Sequence, residues 1–85
     1  MLFDISKHAE AQMKLRGIEK ETVLEILNNP DQIINSDGKM IYQAIISEID
    51  KQFLMRIFVN HLKIPKLVIT VYKTSKITKY YEGNL

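Results

Sequence analysis

The sequence predicts an α+β domain with the element order β-α-α-β-β-β, and three observations carry that expectation. Apolar residues recur at spacings of three and four through the first third of the chain, from Ile5 to Leu27. From Lys39 onward the spacing changes to two, in three runs separated by short polar connections. The chain has 85 residues and is 46% hydrophobic, which suits one domain with one small core and is too apolar for a disordered segment. A domain this short buries only roughly 60–65% of its unfolded surface, so every core position counts.

The elements follow in order. Leu2-Phe3-Asp4-Ile5 reads as a first short strand. Ser6 is an N-cap, because its hydroxyl can accept from the free amides of the next turn. Lys7 to Arg16 is then a helix, with Ile5, Ala9 and Met13 on one face and Gln12 and Arg16 beside them. Gly17 ends it where a left-handed residue is wanted. Ile18 to Thr22 opens a second helix with acids in its first turn, and Val23, Ile26 and Leu27 form its buried stripe, flanked by Leu24. Asn28-Asn29-Pro30 stops it, since proline disfavours a helical residue before it. The short link between the helices predicts an antiparallel hairpin.

Asn35-Ser36-Asp37-Gly38 reads as a turn, Lys39 to Ile49 as a strand, and Glu48 to Lys51 as the next turn. In the strand Phe53 to Asn60, Phe53, Met55, Ile57 and Val59 share one face, and Leu54, Arg56, Phe58 and Asn60 the other. The last strand, Lys66 to Lys73, sets Leu67, Ile69, Val71 and Lys73 against Val68, Thr70 and Tyr72. Short connections make these three strands an antiparallel meander. Thr74 or Ser75 is expected to cap one helical turn that ends near Tyr80. Two helices on one face of a curved sheet then leave the other face mixed, with Arg56, Thr70 and Tyr72 among apolar neighbours.

Composition narrows the chemistry. There are no cysteines, hence no disulfide and no thiolate metal site, and the two histidines, His8 and His61, lie far apart. No apolar stretch approaches a membrane span, and the N-terminus lacks a charged region followed by an apolar one, so a cytoplasmic protein without membrane contact is expected. The net charge of +2 hides an asymmetry. Residues 1–50 hold five cations against nine acids, a balance of −4, while residues 51–85 hold seven cations against Glu82 alone, a balance of +6. Polarity of this kind suggests an anionic partner on one side, with a chance distribution of charge in a short chain as the alternative. The run from Val68 to Tyr81 is its densest part: a strand that becomes lysines, hydroxyls and tyrosines with no acid until Glu82.

Several of these residues together carry a family pattern. His8 stands at the start of the first helix, Arg16-Gly17-Ile18 at its end, and Asn29-Pro30 closes the second helix. Tyr42, Arg56 and Thr70-Val71-Tyr72 follow on the three successive strands. In this order, over nearly the whole chain, they resemble a small domain-of-unknown-function family of the RelE/ParE/BrnT-like toxin superfamily. The resemblance implies that residues 1–85 are a single RelE-like domain with a microbial RNase fold. It implies the toxin of a type II toxin–antitoxin system, a metal-independent endoribonuclease that needs no cofactor, acts on mRNA, often at the ribosome, and is held inactive by a small acidic antitoxin protein.

Metal-free RNA cleavage needs a base for the 2′-hydroxyl, a cation for the crowded phosphorane and an acid for the leaving 5′-oxygen. With the resemblance, His8, Arg56 and Tyr72 are the catalytic candidates. Arg56 suits a phosphate clamp, since guanidinium meets phosphate through two parallel bonds, or else it packs its stem on the sheet and sends its head to water. Tyr72 can orient a hydroxyl, donate a proton or stack on a base, or simply strengthen a strand. His8 has the unperturbed range of a proton-transfer group, or else packs between helix and sheet. Thr70, Lys73, Lys76, Lys79, Tyr80 and Tyr81 are candidates for holding RNA by charge and stacking, with a solvated tail as the alternative. Arg16 either joins Arg56 in one cationic pocket or complements the end of its own helix. Two other readings stand beside the toxin: a non-catalytic module that docks a small acidic partner or RNA, and a homodimer built on an exposed sheet edge.

Overall fold

Ser6 opens the helical half of the chain as its position predicts. In the structure, a computed structural model that describes residues 2–83, Ser6 Oγ accepts the Ala9 N–H at 3.0 Å, and α1 runs Lys7–Arg16. Gly17 ends α1 at φ 66°, in the left-handed region where a side chain would be strained. The Gly17 and Ile18 amides return to the carbonyls of Lys14 and Met13 at 3.4 and 2.8 Å. This paired closure satisfies two orphan carbonyls and turns Ile18 back onto Met13, so that both are buried. Helix α2 runs Lys20–Asn28 and buries Val23, Ile26 and Leu27. The helices pack chiefly against the sheet, α1 along β5 (Lys66–Thr74) and α2 against β3 (Lys39–Glu48), rather than tightly against each other.

The sheet has five strands where the sequence predicts four. The additional strand, β2 (Gln32–Ser36), pairs antiparallel with β3 through a two-residue turn. Asp37 and Gly38 both have positive φ, 50° and 79°, the geometry that matches the right-handed twist of hairpin strands. Asn35 and Ser36 therefore belong to β2, not to the turn. The remaining strands are β1 (Phe3–Ile5) and β4 (Lys51–Asn60), and the order across the sheet is β1-β5-β4-β3-β2. Only β1 with β5 is parallel. One short helix, α3 (Ile77–Tyr80), follows β5. Lys76, and neither Thr74 nor Ser75, occupies its N-cap; Thr74 Oγ1 instead accepts the Lys76 N–H at 3.1 Å.

The core lies between the helices and one face of the sheet. Ala9, Met13, Val23, Ile26 and Leu27 meet Tyr42, Ala44, Met55, Ile57 and Val71 there, with Phe3 edge-on to Tyr42 at 5.7 Å between ring centres. Val68 belongs to this face too. The simple alternation puts it beside Thr70 and Tyr72, but the register between β4 and β5 shifts at Phe58/Val59, pairing Phe58 with Thr70 and Val59 with Val68. Ile69 is the extra residue, and the bulge returns Val68 to the core, where it is fully buried. Pairing places Ile41, Gln43 and Ile45 of β3, Leu54, Arg56 and Phe58 of β4, and Thr70 and Tyr72 of β5 on the second face. Among the described residues no helix is long and apolar enough to cross a membrane.

Ile57 touches the core from the central strand and is fully buried. Ile57→Ala should cost about 2–5 kcal/mol of unfolding free energy in urea, and Ser6→Ala about 1 kcal/mol by loss of the cap.

Candidate functional site

The hairpin turn at Ile49-Asp50 sets the register that builds the site. Glu48 pairs with Lys51, and counting outward brings Gln43 opposite Arg56. On the far side Arg56 pairs with Tyr72. A glutamine, an arginine and a tyrosine thus form one row across the three central strands of the second face. The Arg56 Nε donates to Gln43 Oε1 at 3.0 Å and its Nη1 to the Tyr72 hydroxyl at 2.8 Å. Arg56 is 8% exposed and Gln43 is fully buried. Both acceptors are neutral. The ion pair found among the described residues joins Lys73 to Glu48 and does not involve Arg56. The guanidinium is therefore buried without an acidic partner among the described residues, whereas buried cations are normally paired with an acid.

Aromatic rings enclose this cation. The Tyr80 ring lies 4.3 Å from the guanidinium carbon, Phe58 5.3 Å and Tyr72 5.9 Å, with Phe58 and Tyr72 themselves 6.0 Å apart. Each such contact is worth about 0.5–2 kcal/mol, more when water is excluded. The polar row continues outward. Gln43 Nε2 donates to Gln32 Oε1 at 2.8 Å and to the Tyr80 carbonyl at 3.1 Å. Gln32 Oε1 accepts the Glu82 N–H at 3.1 Å, and Gln32 Nε2 donates to the Glu82 carbonyl. The C-terminal segment is thereby held over the second face by side chains from β2 and β3.

Of the residues singled out from sequence, Arg56, Tyr72 and Tyr80 come together here. Thr70 lies on the same face, half-buried and paired with Phe58. Lys76 and Lys79 are exposed on the segment that carries Tyr80, with Lys79 Nζ 5.3 Å from the Tyr80 ring. Tyr81 is half-buried and closes the turn with its amide on the Ile77 carbonyl at 2.8 Å.

Three candidates lie elsewhere. His8 is exposed on α1, and both helices cover the face opposite Arg56. Lys73 pairs with Met55, so it points to the helix side. There it bonds Glu48 at 2.8 Å, sits 4.9 Å from the Phe53 ring and borders a cleft of about 290 Å³ with Gly17, Glu19 and Thr22. Arg16 does not join Arg56. Its Nη1 donates to the Val71 carbonyl at 2.7 Å, while Gln12 Oε1 accepts the Val71 N–H at 3.1 Å. Beyond Val68 the outer edge of β5 has no strand partner among the described residues, because β1 pairs there with residues 66–68. Two side chains of α1 close that edge in place of a strand. Among the described residues no three His, Cys, Asp or Glu side chains are gathered closely enough to share a metal ion.

Gln43 and Gln32 are the residues that strand periodicity misses. The signal for Gln43 was the turn: once Ile49-Asp50 is a two-residue loop, the position opposite Arg56 follows by counting.

A small α+β domain with helices on one sheet face, and a row of Gln, Arg and Tyr on the other, is the class of protein that these elements define. Residues 5–73 match the family described as "Domain of unknown function (DUF4258)", and the chain belongs to that family. No curated protein and no solved structure matches it.

Removing the Gln43 amide strands the Arg56 Nε and loosens the Tyr80 carbonyl in a buried setting. Gln43→Ala should lower stability by about 2–4 kcal/mol. Gln32→Ala, at a half-buried and partly solvated position, should cost about 1 kcal/mol. Urea unfolding of the two variants measures both.

Proposed function

We propose that the second sheet face binds RNA and that the protein is a RelE-like toxin of a type II toxin–antitoxin system, cleaving mRNA without a metal ion. The observation that carries this reading is the Arg56 guanidinium, buried among three aromatic rings, held by neutral acceptors and free of any carboxylate among the described residues. A retained cation beside flat rings suits a ligand that is anionic and aromatic at once, and an unpaired nucleotide is both.

In the proposed reaction the substrate's 2′-oxygen attacks the adjacent phosphorus and gives its proton to solvent water, the bond to the 5′-oxygen breaks, and that oxygen takes a proton from the Tyr72 hydroxyl, which water then reprotonates. The products are a 2′,3′-cyclic phosphate and a 5′-hydroxyl. Arg56 stabilises the charge on the phosphorane. Tyr72 is the proton donor of the site: its oxygen accepts from Arg56 at 2.8 Å, which leaves its own O–H for the leaving oxygen. The small acidic antitoxin implied by the family resemblance would meet the same cationic face.

The position of His8 favours a second reading. With no histidine beside Arg56, the face also suits a non-catalytic module that holds RNA or an acidic protein segment.

Induced expression in a bacterial host tests the first reading. Growth should stop, mRNA should be cut, and Arg56→Ala and Arg56→Lys should restore growth, with cleavage by the purified variants falling at least about 100-fold. Tyr72→Phe should reduce cleavage while RNA binding persists. Normal growth and intact mRNA, with RNA binding that still depends on Arg56, would select the binding module.

A further inference from the structure

We infer that Tyr80, Tyr81 and Glu82 form a lid that occupies the place of an unpaired nucleotide over Arg56, and that RNA enters by displacing it. The inference rests on the reading of Arg56 as an RNA-binding cation and adds how that site is regulated.

Each contact of the lid stands where a contact to a nucleotide would. A flat ring over a guanidinium is the arrangement in which arginine stacks on bases, and Tyr80 takes it at 4.3 Å. The Gln32 amide accepts from the Glu82 N–H and donates to the Glu82 carbonyl. This paired exchange is the kind that a side-chain amide makes with a base edge. Gln43 Nε2 donates to the Tyr80 carbonyl at 3.1 Å, a bond that a base or sugar oxygen can replace. Arg56 does not depend on the lid for its own position, because Gln43 Oε1 and the Tyr72 hydroxyl hold its Nε and Nη1. Its Nη2 has no partner among the described residues and is the group left for a phosphate oxygen.

The lid is also built to open. α3 has four residues, no side-chain cap and no buried residue. Tyr80 and Tyr81 are half-buried, and Glu82 and Gly83 are exposed. The segment lies beyond residues 5–73, which match the family. Lys76 and Lys79 ride on it, exposed, where the backbone of an approaching strand would meet them first. A site closed in this way binds with its intrinsic affinity reduced by the fraction of molecules that are open.

The test is binding of a fluorescent single-stranded oligoribonucleotide, followed by anisotropy, to the full chain, to Tyr80→Ala and to Glu82→Pro, the last of which removes the N–H that Gln32 accepts while keeping the Gln32 amide. Protected β4 amides in hydrogen exchange report that each variant is folded. The expected result is binding at least about tenfold tighter for Tyr80→Ala, and tighter for Glu82→Pro, with the gain abolished by Arg56→Gln in the same chain. Amides of residues 77–82 in the unaltered chain should exchange faster when the oligonucleotide is bound. If the unaltered chain binds and Tyr80→Ala binds equally or more weakly, the lid is overturned and Tyr80 is a stacking platform; the RNA-binding reading survives. If neither the unaltered chain nor Tyr80→Ala binds, RNA binding itself fails and the lid falls with it. Should Tyr80→Ala unfold, Glu82→Pro decides by the same criteria.

Discussion

The constraint on which this structure turns is a positive charge in the middle of a sheet with no acid beside it. Arg56 sits on the central strand, almost fully buried. A buried guanidinium is tolerable only if its N–H groups find acceptors, and each charged hydrogen bond of this kind contributes about 1.5–3 kcal/mol. Gln43 and Tyr72 supply those acceptors from the two flanking strands. Their presence fixes the register across three strands as firmly as the apolar core does, since a one-residue slip would turn both away. The effect reaches further out. Gln43 has a second end, which Gln32 and the Tyr80 carbonyl satisfy, and Gln32 in turn binds the Glu82 backbone. A single cation thus organises an edge strand and the C-terminal segment.

The elements legible in the sequence were those with local chemical markers. Ser6, Gly17 and Pro30 marked helix boundaries because capping and proline geometry act within a few residues, and Val23, Ile26 and Leu27 marked a buried stripe because that helix has one wet side. β2 was not legible. Gln32-Ile33-Ile34-Asn35-Ser36 is an edge strand with few apolar positions, and its order comes from pairing with β3 and from two glutamines on one face, neither of which leaves a periodic trace. The bulge at Ile69 was hidden for a related reason: alternation assumes an unbroken ladder, and one extra residue reverses every position beyond it.

The candidate site divides along the same line. Arg56 and Tyr72 were readable as a pair because both follow simple alternation on neighbouring strands. His8 is a candidate by the family resemblance and its residue type, and Lys73 by its place beside Tyr72 in the basic run, and the sheet separates both from Arg56. Once both helices cover the face that carries Met55 and Ile57, no exposed residue of α1 can reach an even-numbered residue of β4. Lys73 has the parity of Met55 and falls on the helix side with it. Arg16 met a different demand, a strand edge with an open N–H and C=O at Val71, which is a tertiary feature with no local signal.

These placements change what the charge asymmetry means. As a sequence, residues 51–85 carry an excess of +6, enough for a broad electrostatic surface. In the fold that excess is dispersed. Lys73 is paired with Glu48 on the helix side, Lys63 lies in the β4–β5 connection and Lys66 opens β5, and Lys51 lies at the opposite end of the sheet, opposite Glu48 in the ladder. Arg56, Lys76 and Lys79 are what the second face and its C-terminal segment retain. So few charges neutralise few phosphates and release few counterions, whereas stacking on an aromatic face contributes about 1–3 kcal/mol per base whatever the salt. On the RNA-binding reading, then, the rings around Arg56 and the amides of Gln43 and Gln32 account for more of the recognition than net charge does. On that reading, whether the Tyr80 ring or a ligand stacks over Arg56 is the variable on which function depends.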